Sequence, residues 1–298
     1  MVKHIPVMLN HCLEQLSIKK DGTYVDLTLG RGGHSSEILK RIPKGLLVSF
    51  DKDIEAINES GNRLSQISDN YILIHSDNRF IKEELKNNGI EAVDGILLDL
   101  GVSSPQLDNA ERGFSYNKES RLDMRMDRSQ ELDAHKIINS WSETQLINIL
   151  YEYADVKFAR QIAKAVIENR PIDTTTQLVD LLRETLPAKI VRKKNPAKPV
   201  FQAIRIAVNN EMDSLKQALN DGLTLLKTGG KFAVITFHSI EDRIVKKFFG
   251  NLTKDKTGKL PIQLEKEFSV KTIKAKDAEI DENRRARSAK LRVITKLR

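Results

Sequence analysis

The chain has 298 residues, 40% of them hydrophobic and 30% charged, with a formal net charge of +8. That length suits one large domain or two of ordinary size, and the composition excludes a disordered chain. No apolar stretch approaches the ~18 residues of a membrane span, the opening "MVKHIPVMLNHC" lacks a secretory apolar core, and Cys12 is the only cysteine. A disulfide framework and a cysteine zinc site are thereby excluded, and a cytoplasmic protein is expected.

In chain order, "TYVDLTL" (23–29), "GLLVSF" (45–50), "YILIHS" (71–76) and "VDGILLDL" (93–100) are short apolar runs, as strands buried on both faces of a parallel sheet require. Crossover helices are predicted between them over 35–41, 53–66 and 79–87, which gives an α/β, doubly wound series. From about residue 105 the rhythm changes to a polar loop and then to helical spacing. Ser142 with Gln145 forms a capping-box pattern, and "FARQIAKAVIEN" and "TTTQLVDLLRETL" continue as helices. "GGKFAVITFHS" (229–239) restores a buried strand, and "SAKLRVITK" (288–296) alternates as a last one. The expected organisation is a discontinuous α/β domain, 1–105 and 200–298, interrupted by a mostly helical subdomain over 106–199.

The first strand runs into "YVDLTLGRGGHS". Glycines there let a backbone approach a ligand and free amide groups at the next helix. The dinucleotide pattern G-x-G-x-x-G fails because Ser35 stands where its third glycine belongs, and no Gly-Lys-Ser or Gly-Lys-Thr phosphate loop occurs. The remaining pattern, Asp26 followed by Gly30, Gly32 and Gly33, suits a ligand with a cationic amino-acid portion and no pyrophosphate, such as S-adenosylmethionine (SAM). Asp51 ends the second strand, where an acid accepts from ribose hydroxyls, and Asp99 ends the fourth.

The segments "GRGGHS" (30–35), "DGILLDLGVSSPQLDNAERGFS" (94–115), "LDMRMD" (122–127), "FQAIRIAVNNE" (201–211) and "ITFHSIEDRIVKKFF" (235–249) together resemble the MraW/RsmH methyltransferases. The likeness runs from His4 to "RARSAKLRV", nearly the whole chain. It implies a Rossmann-like class I SAM methyltransferase sheet with an inserted helical subdomain for substrate recognition. The implied reaction is methylation of N4 of a cytidine in small-subunit (16S) ribosomal RNA. The implied partners are that RNA or the assembled small subunit, with no membrane, and a homodimer is compatible with it. The cofactor contacts implied are Gly32, Gly33, His34, Asp51, Asp99 and Gln106. The family also places an aromatic residue just after the third strand. Here "HSDNRF" puts Asn78 at that place and Phe80 two residues on, so either side chain fills it.

An exocyclic cytosine amine is a weak nucleophile, so its methylation needs a proton acceptor and in-line placement against the methyl group. Asp99 and the carbonyls of the Ser103-Ser104-Pro105 turn are the candidate acceptors. The blander alternative leaves Asp99 to the cofactor and the turn to structure. His238 ends the fifth strand and either meets the base or serves only the local structure. His4, His11, His75 and His135 show no metal spacing, and no metal is expected. Residues 189–198 carry five cations and no acid, and residues 284–298 carry seven and no acid. The second group alternates as the exposed face of an edge strand. The first, with Lys193 and Lys194 beside Arg205, is the better RNA-binding candidate, joined by Arg243 and Lys246. Two further readings remain open on the residues alone: a non-catalytic RNA-binding or ribosome-assembly protein, and SAM-dependent transfer to another amino group.

Overall fold

The structure is a computed structural model that describes residues 6–193, 195–254 and 265–298. It divides into two compact units, residues 1–101 with 213–298, and residues 102–212.

The first unit is built on a sheet with seven strands among the described residues: β1 (Thr23–Asp26), β2 (Leu46–Asp51), β3 (Tyr71–His75), β4 (Val93–Asp99), β5 (Leu226–Thr236), β6 (Phe268–Lys274) and β7 (Lys290–Lys296). Their order is β3-β2-β1-β4-β5-β7-β6. The first five are parallel, and β7 runs antiparallel to both β5 and β6. The continuous apolar runs have a direct cause. Val25, Val48, Ile96, Phe232 and Val234 face one buried cluster, while Tyr24, Leu47, Leu97, Ala233 and Ile235 face a second. Successive side chains point to opposite faces, so a strand covered on both sides needs apolar residues at every position.

Two expectations change here. β7 is not an edge strand: β6, which has no clear apolar alternation, lies outside it. The β7 cations are therefore not a simple solvent face, because Asp242 accepts from Arg292 Nε at 2.9 Å and from Lys290 Nζ at 2.8 Å. The helix after the opening loop spans Gly33–Leu39, two residues earlier than the pattern suggests. Its start is set by Gly32, whose φ of 69° turns the chain in the left-handed region that glycine tolerates. The next crossover helix, Ile54–Leu64, is capped by Asp53, which accepts from Glu55 N at 3.1 Å.

Among its described residues, the second unit contributes no strand to the sheet. Its helices Ala134–Ser140, Glu143–Ala154, Ala159–Glu168, Thr175–Thr185 and Ala197–Asn209 enclose their own apolar core, with Ile137, Leu150, Ile162, Leu182 and Ile204 inside. The Ser142 capping box is present, with Ser142 Oγ accepting from Gln145 N at 3.3 Å and Gln145 Oε1 accepting from Ser142 N at 2.9 Å. Among the described residues, no helix is long and apolar enough to cross a membrane.

Candidate active site

The C-terminal ends of the parallel strands carry the acids, and the loop after β1 is tied to them one hydrogen bond at a time. Asp26 is buried, and its Oδ2 accepts from Ser35 Oγ at 2.7 Å while Oδ1 accepts from Thr28 N at 3.1 Å. Ser35 in turn meets Ser49 Oγ at 2.8 Å. The residue that breaks the dinucleotide pattern thus has a structural task of its own, fixing the acid at the end of β1. Burial pushes the Asp26 carboxyl up, against the hydrogen bonds from Ser35 and Thr28.

Asp51 holds the glycine turn. Its Oδ2 accepts from Gly30 N at 2.8 Å and its Oδ1 from Asp53 N at 2.9 Å. Ser60 Oγ closes the other side by donating to Gly30 O at 2.8 Å. Burial raises the Asp51 carboxyl to about 6, opposed by those two backbone donors and aided by the charges of Asp53 and Asp26. At Gly32 a Cβ would lie 3.1 Å from Ser60 Oγ, and at Gly33 only 2.3 Å from Pro6 Cγ, so both positions are closed to a side chain. Such a turn presents bare backbone beside a carboxylate whose remaining lone pairs suit hydroxyl donors.

His34 and Asp99 meet across this turn. His34 is buried, its Nε2 lies 3.2 Å from Val7 O, and its Nδ1 stands 3.8 Å from Asp99 Oδ2. The Asp99 amide donates to Thr28 Oγ1 at 2.7 Å. Asp99 Oδ1 is buried and has no hydrogen-bond partner. Burial pushes this carboxyl well above the carboxylate range, with the charges of Asp26 and Glu241 adding to the shift. An unmatched buried acceptor is costly in isolation, so this atom calls for a donor or a cation from a ligand. Asp26, Asp51 and Asp99 offer no site for a pyrophosphate, whereas a bound sulfonium or ammonium would favour their charged forms. The residues present therefore fit SAM.

At the end of β3, Ser76 N donates to Asp51 O at 3.0 Å, which ties the following turn to the end of β2. Asn78 Oδ1 is buried there without a hydrogen-bond partner. Phe80 is exposed, and the Arg79 guanidinium lies 5.0 Å over its ring. Of the two candidates for the third-strand contact, Asn78 carries the buried unmatched atom. Asp77, just before Asn78, is already engaged, with Lys52 Nζ at 2.7 Å, Arg79 Nε at 3.1 Å and Ser214 Oγ at 2.9 Å.

His238 is tied to the helix it starts, Ser239–Thr253. Its Nδ1 accepts from Glu241 N at 3.4 Å, and its Nε2 stands 3.0 Å from Glu241 Oε1. Glu241 is buried and its Oε2 accepts from Phe237 N at 2.8 Å and His238 N at 3.2 Å. In this geometry the ring caps the helix, and its Nε2 is buried without a hydrogen-bond partner.

In the second unit, Ser103 caps the short helix Ser104–Asp108, which has Pro105 in its first turn. Ser103 Oγ accepts from Gln106 N at 3.4 Å, and Gln106 Oε1 accepts from Ser103 N at 3.0 Å. The side chains of Ser103 and Gln106 thus bond to each other's backbone. Arg205, expected to face RNA, is instead committed to Glu211 through Nε at 2.7 Å and Nη2 at 2.8 Å. Lys194 lies outside the described residues, as does the side chain of Lys193.

The structure thus brings Gly32, Gly33, His34, Asp51 and Asp99 together, with Asn78 on the adjoining strand end. Thr28, Ser60 and Asp77 were not identified from the sequence. A serine or threonine bonded across 30 or 71 positions leaves no local pattern to read.

The strand order, the antiparallel β7, the glycine turn after β1 and the acids ending β1, β2 and β4 define a class I, Rossmann-like SAM-dependent methyltransferase fold. The profile of the MraW methylase family matches residues 1–297, and the chain belongs to that family. It is 58% identical over 296 residues to "Ribosomal RNA small subunit methyltransferase H" of Mycoplasmopsis agalactiae, covering 99% of each chain. It is 55% identical over 295 residues to the protein of the same name in Mycoplasma mobile, covering 99% of this chain and 98% of the relative. Among solved structures, an rRNA methylase from Streptococcus thermophilus aligns with a TM-score of 0.46 at 13% identity, over 100% of this chain and 99% of the other.

Proposed function

We propose that this protein transfers the methyl group of SAM to N4 of a cytidine in the RNA of the small ribosomal subunit. The observation that carries this reading is the end-to-end match, at 58% identity, to a protein named as a small-subunit ribosomal RNA methyltransferase. The acid-lined glycine turn supports the cofactor, and the net charge of +8 supports a polyanionic substrate.

When bound, SAM supplies an electrophilic methyl group on a sulfonium. Asp51 accepts from the ribose hydroxyls while continuing to hold Gly30. Gly32 and Gly33 admit the ligand against the backbone, and Asn78 Oδ1 offers an acceptor at the end of β3. The Asp99 carboxyl has two assignments, one toward the cofactor and one toward the substrate. The second is supported by Asp99 Oδ1, which is buried without a hydrogen-bond partner, and a bound sulfonium would favour the charged carboxylate that can take the amine proton. Its Oδ1 is the receiving atom. The cytosine must be single-stranded or flipped from its helix to reach a methyl group held in such a crevice, at a cost of a few kcal/mol.

The test uses purified protein, methyl-labelled SAM and small ribosomal subunits. The expected product is labelled N4-methylcytidine. Asp99→Ala should lower kcat by about 100-fold or more while still binding S-adenosylhomocysteine (SAH). Label appearing in a 5-methylcytidine or in a purine would overturn the N4 assignment, and undiminished kcat in Asp99→Ala would remove Asp99 as proton acceptor.

A further inference from the structure

The helix that follows Met8 is met by Glu279, far along the chain. The helix Leu9–Leu16 opens without a side-chain cap of its own, and Met8 at its head is fully buried with φ at 55°, a left-handed conformation unfavourable for methionine. The cap comes from 271 positions away: Glu279 Oε1 accepts from Met8 N at 2.5 Å, and Glu279 Oε2 lies 3.3 Å from Nδ1 of His11. The two residues before Met8 are the ones that touch the turn. Pro6 packs so closely on Gly33 that a Cβ there would come within 2.3 Å of its Cγ. Val7 O holds Nε2 of His34 at 3.2 Å. With Val7 O accepting from Nε2, the Nδ1 of the same ring faces Asp99 Oδ2 at 3.8 Å. None of these contacts is used in the mechanism above.

We infer that Glu279 is a positioning residue for the cofactor turn. By capping Met8 it fixes the Pro6–Val7 strap against Gly33 and His34, and so sets the His34 ring against Asp99. The chain of contacts is short and stiff: one carboxylate, the single Val7–Met8 peptide unit and one imidazole. Val7 and Met8 are consecutive, so releasing the Met8 amide frees the Val7 carbonyl that orients His34. Displacements near 1 Å at such a site are enough to be felt by a bound ligand. An ordinary cap would stabilise the helix and nothing more. This inference rests on the reading of the turn as the SAM site.

Glu279→Ala and Glu279→Asp test it, the second keeping the charge but withdrawing it by one methylene. SAH affinity is measured by calorimetry, and the His34 ring is followed by long-range nitrogen–proton NMR. The expected result is a shift of the His34 ring signals, loss of its single tautomer and about tenfold weaker SAH binding in Glu279→Ala, with RNA affinity unchanged. Glu279→Asp should move both readouts in the same direction, and it serves alone if the alanine variant does not fold. Wild-type SAH affinity and an unmoved His34 signal in either folded variant would overturn the inference, even with a lowered melting temperature. Failure of the wild-type protein itself to bind SAH would instead remove the cofactor reading on which it rests.

Discussion

Asp51 shows how one residue both builds and titrates the site. It accepts two backbone amides and is raised by burial to about 6, above its unfolded value. In the free protein its protonated form is therefore favoured by folding. Its contribution to stability is full at low pH and is lost as pH rises through the ordinary carboxylate range to about 6. Ligand hydroxyls favour the opposite, charged form, so SAH affinity should rise across that same window and flatten above it. Calorimetry from about pH 5 to about pH 8 checks this, and a flat affinity would show that Asp51 does not meet the ligand. Asp51→Ala should weaken SAH by ~1–3 kcal/mol and abolish the slope. That an acid stands at the end of β2 was readable from its place after a buried apolar run. That it would also hold Gly30 was not, because a hydrogen bond spanning 21 positions has no sequence signature.

At the scale of elements, the strands were legible where both faces are covered and illegible where they are not. β1 to β4 and residues 232–235 of β5 announce themselves because their apolar positions alternate between two buried clusters, whereas residues 227–229 of β5 are exposed. β6, "FSVKTIK", has mostly exposed side chains and reads as neither strand nor helix until β7 is seen beside it. Its absence from the sequence reading is why β7 was taken for an edge. Helix starts were legible through their caps, as at Ser142, but His238 was not recognised as one, since a histidine cap is unusual. Glu241 is the keystone there, accepting two backbone amides while buried beside that ring. Glu241→Ala should destabilise the protein by about 2–3 kcal/mol, the cost of leaving two buried donors unmatched. Urea denaturation measures it, and a change below about 0.5 kcal/mol would mean that the donors find other partners.

For the whole molecule, the sheet unit supplies the cofactor turn, and the helical unit, with its own core and a cationic segment near its end, is the proposed reader of RNA. Reversing Lys193 and Lys194 to Glu should weaken RNA binding and flatten its dependence on salt, because fewer counterions are released, while SAH affinity stays unchanged. Filter binding over a salt series distinguishes this from misfolding, in which both affinities fall together. No change in either would remove the cluster from the RNA site. The central claim, cytidine N4 methylation of small-subunit ribosomal RNA, is tested most directly by mass spectrometry of nucleosides from that RNA in cells with and without this protein. One N4-methylated cytidine species should fall when the protein is removed and return with the wild-type chain but not with Asp99→Ala. An unchanged nucleoside profile in its absence would contradict it.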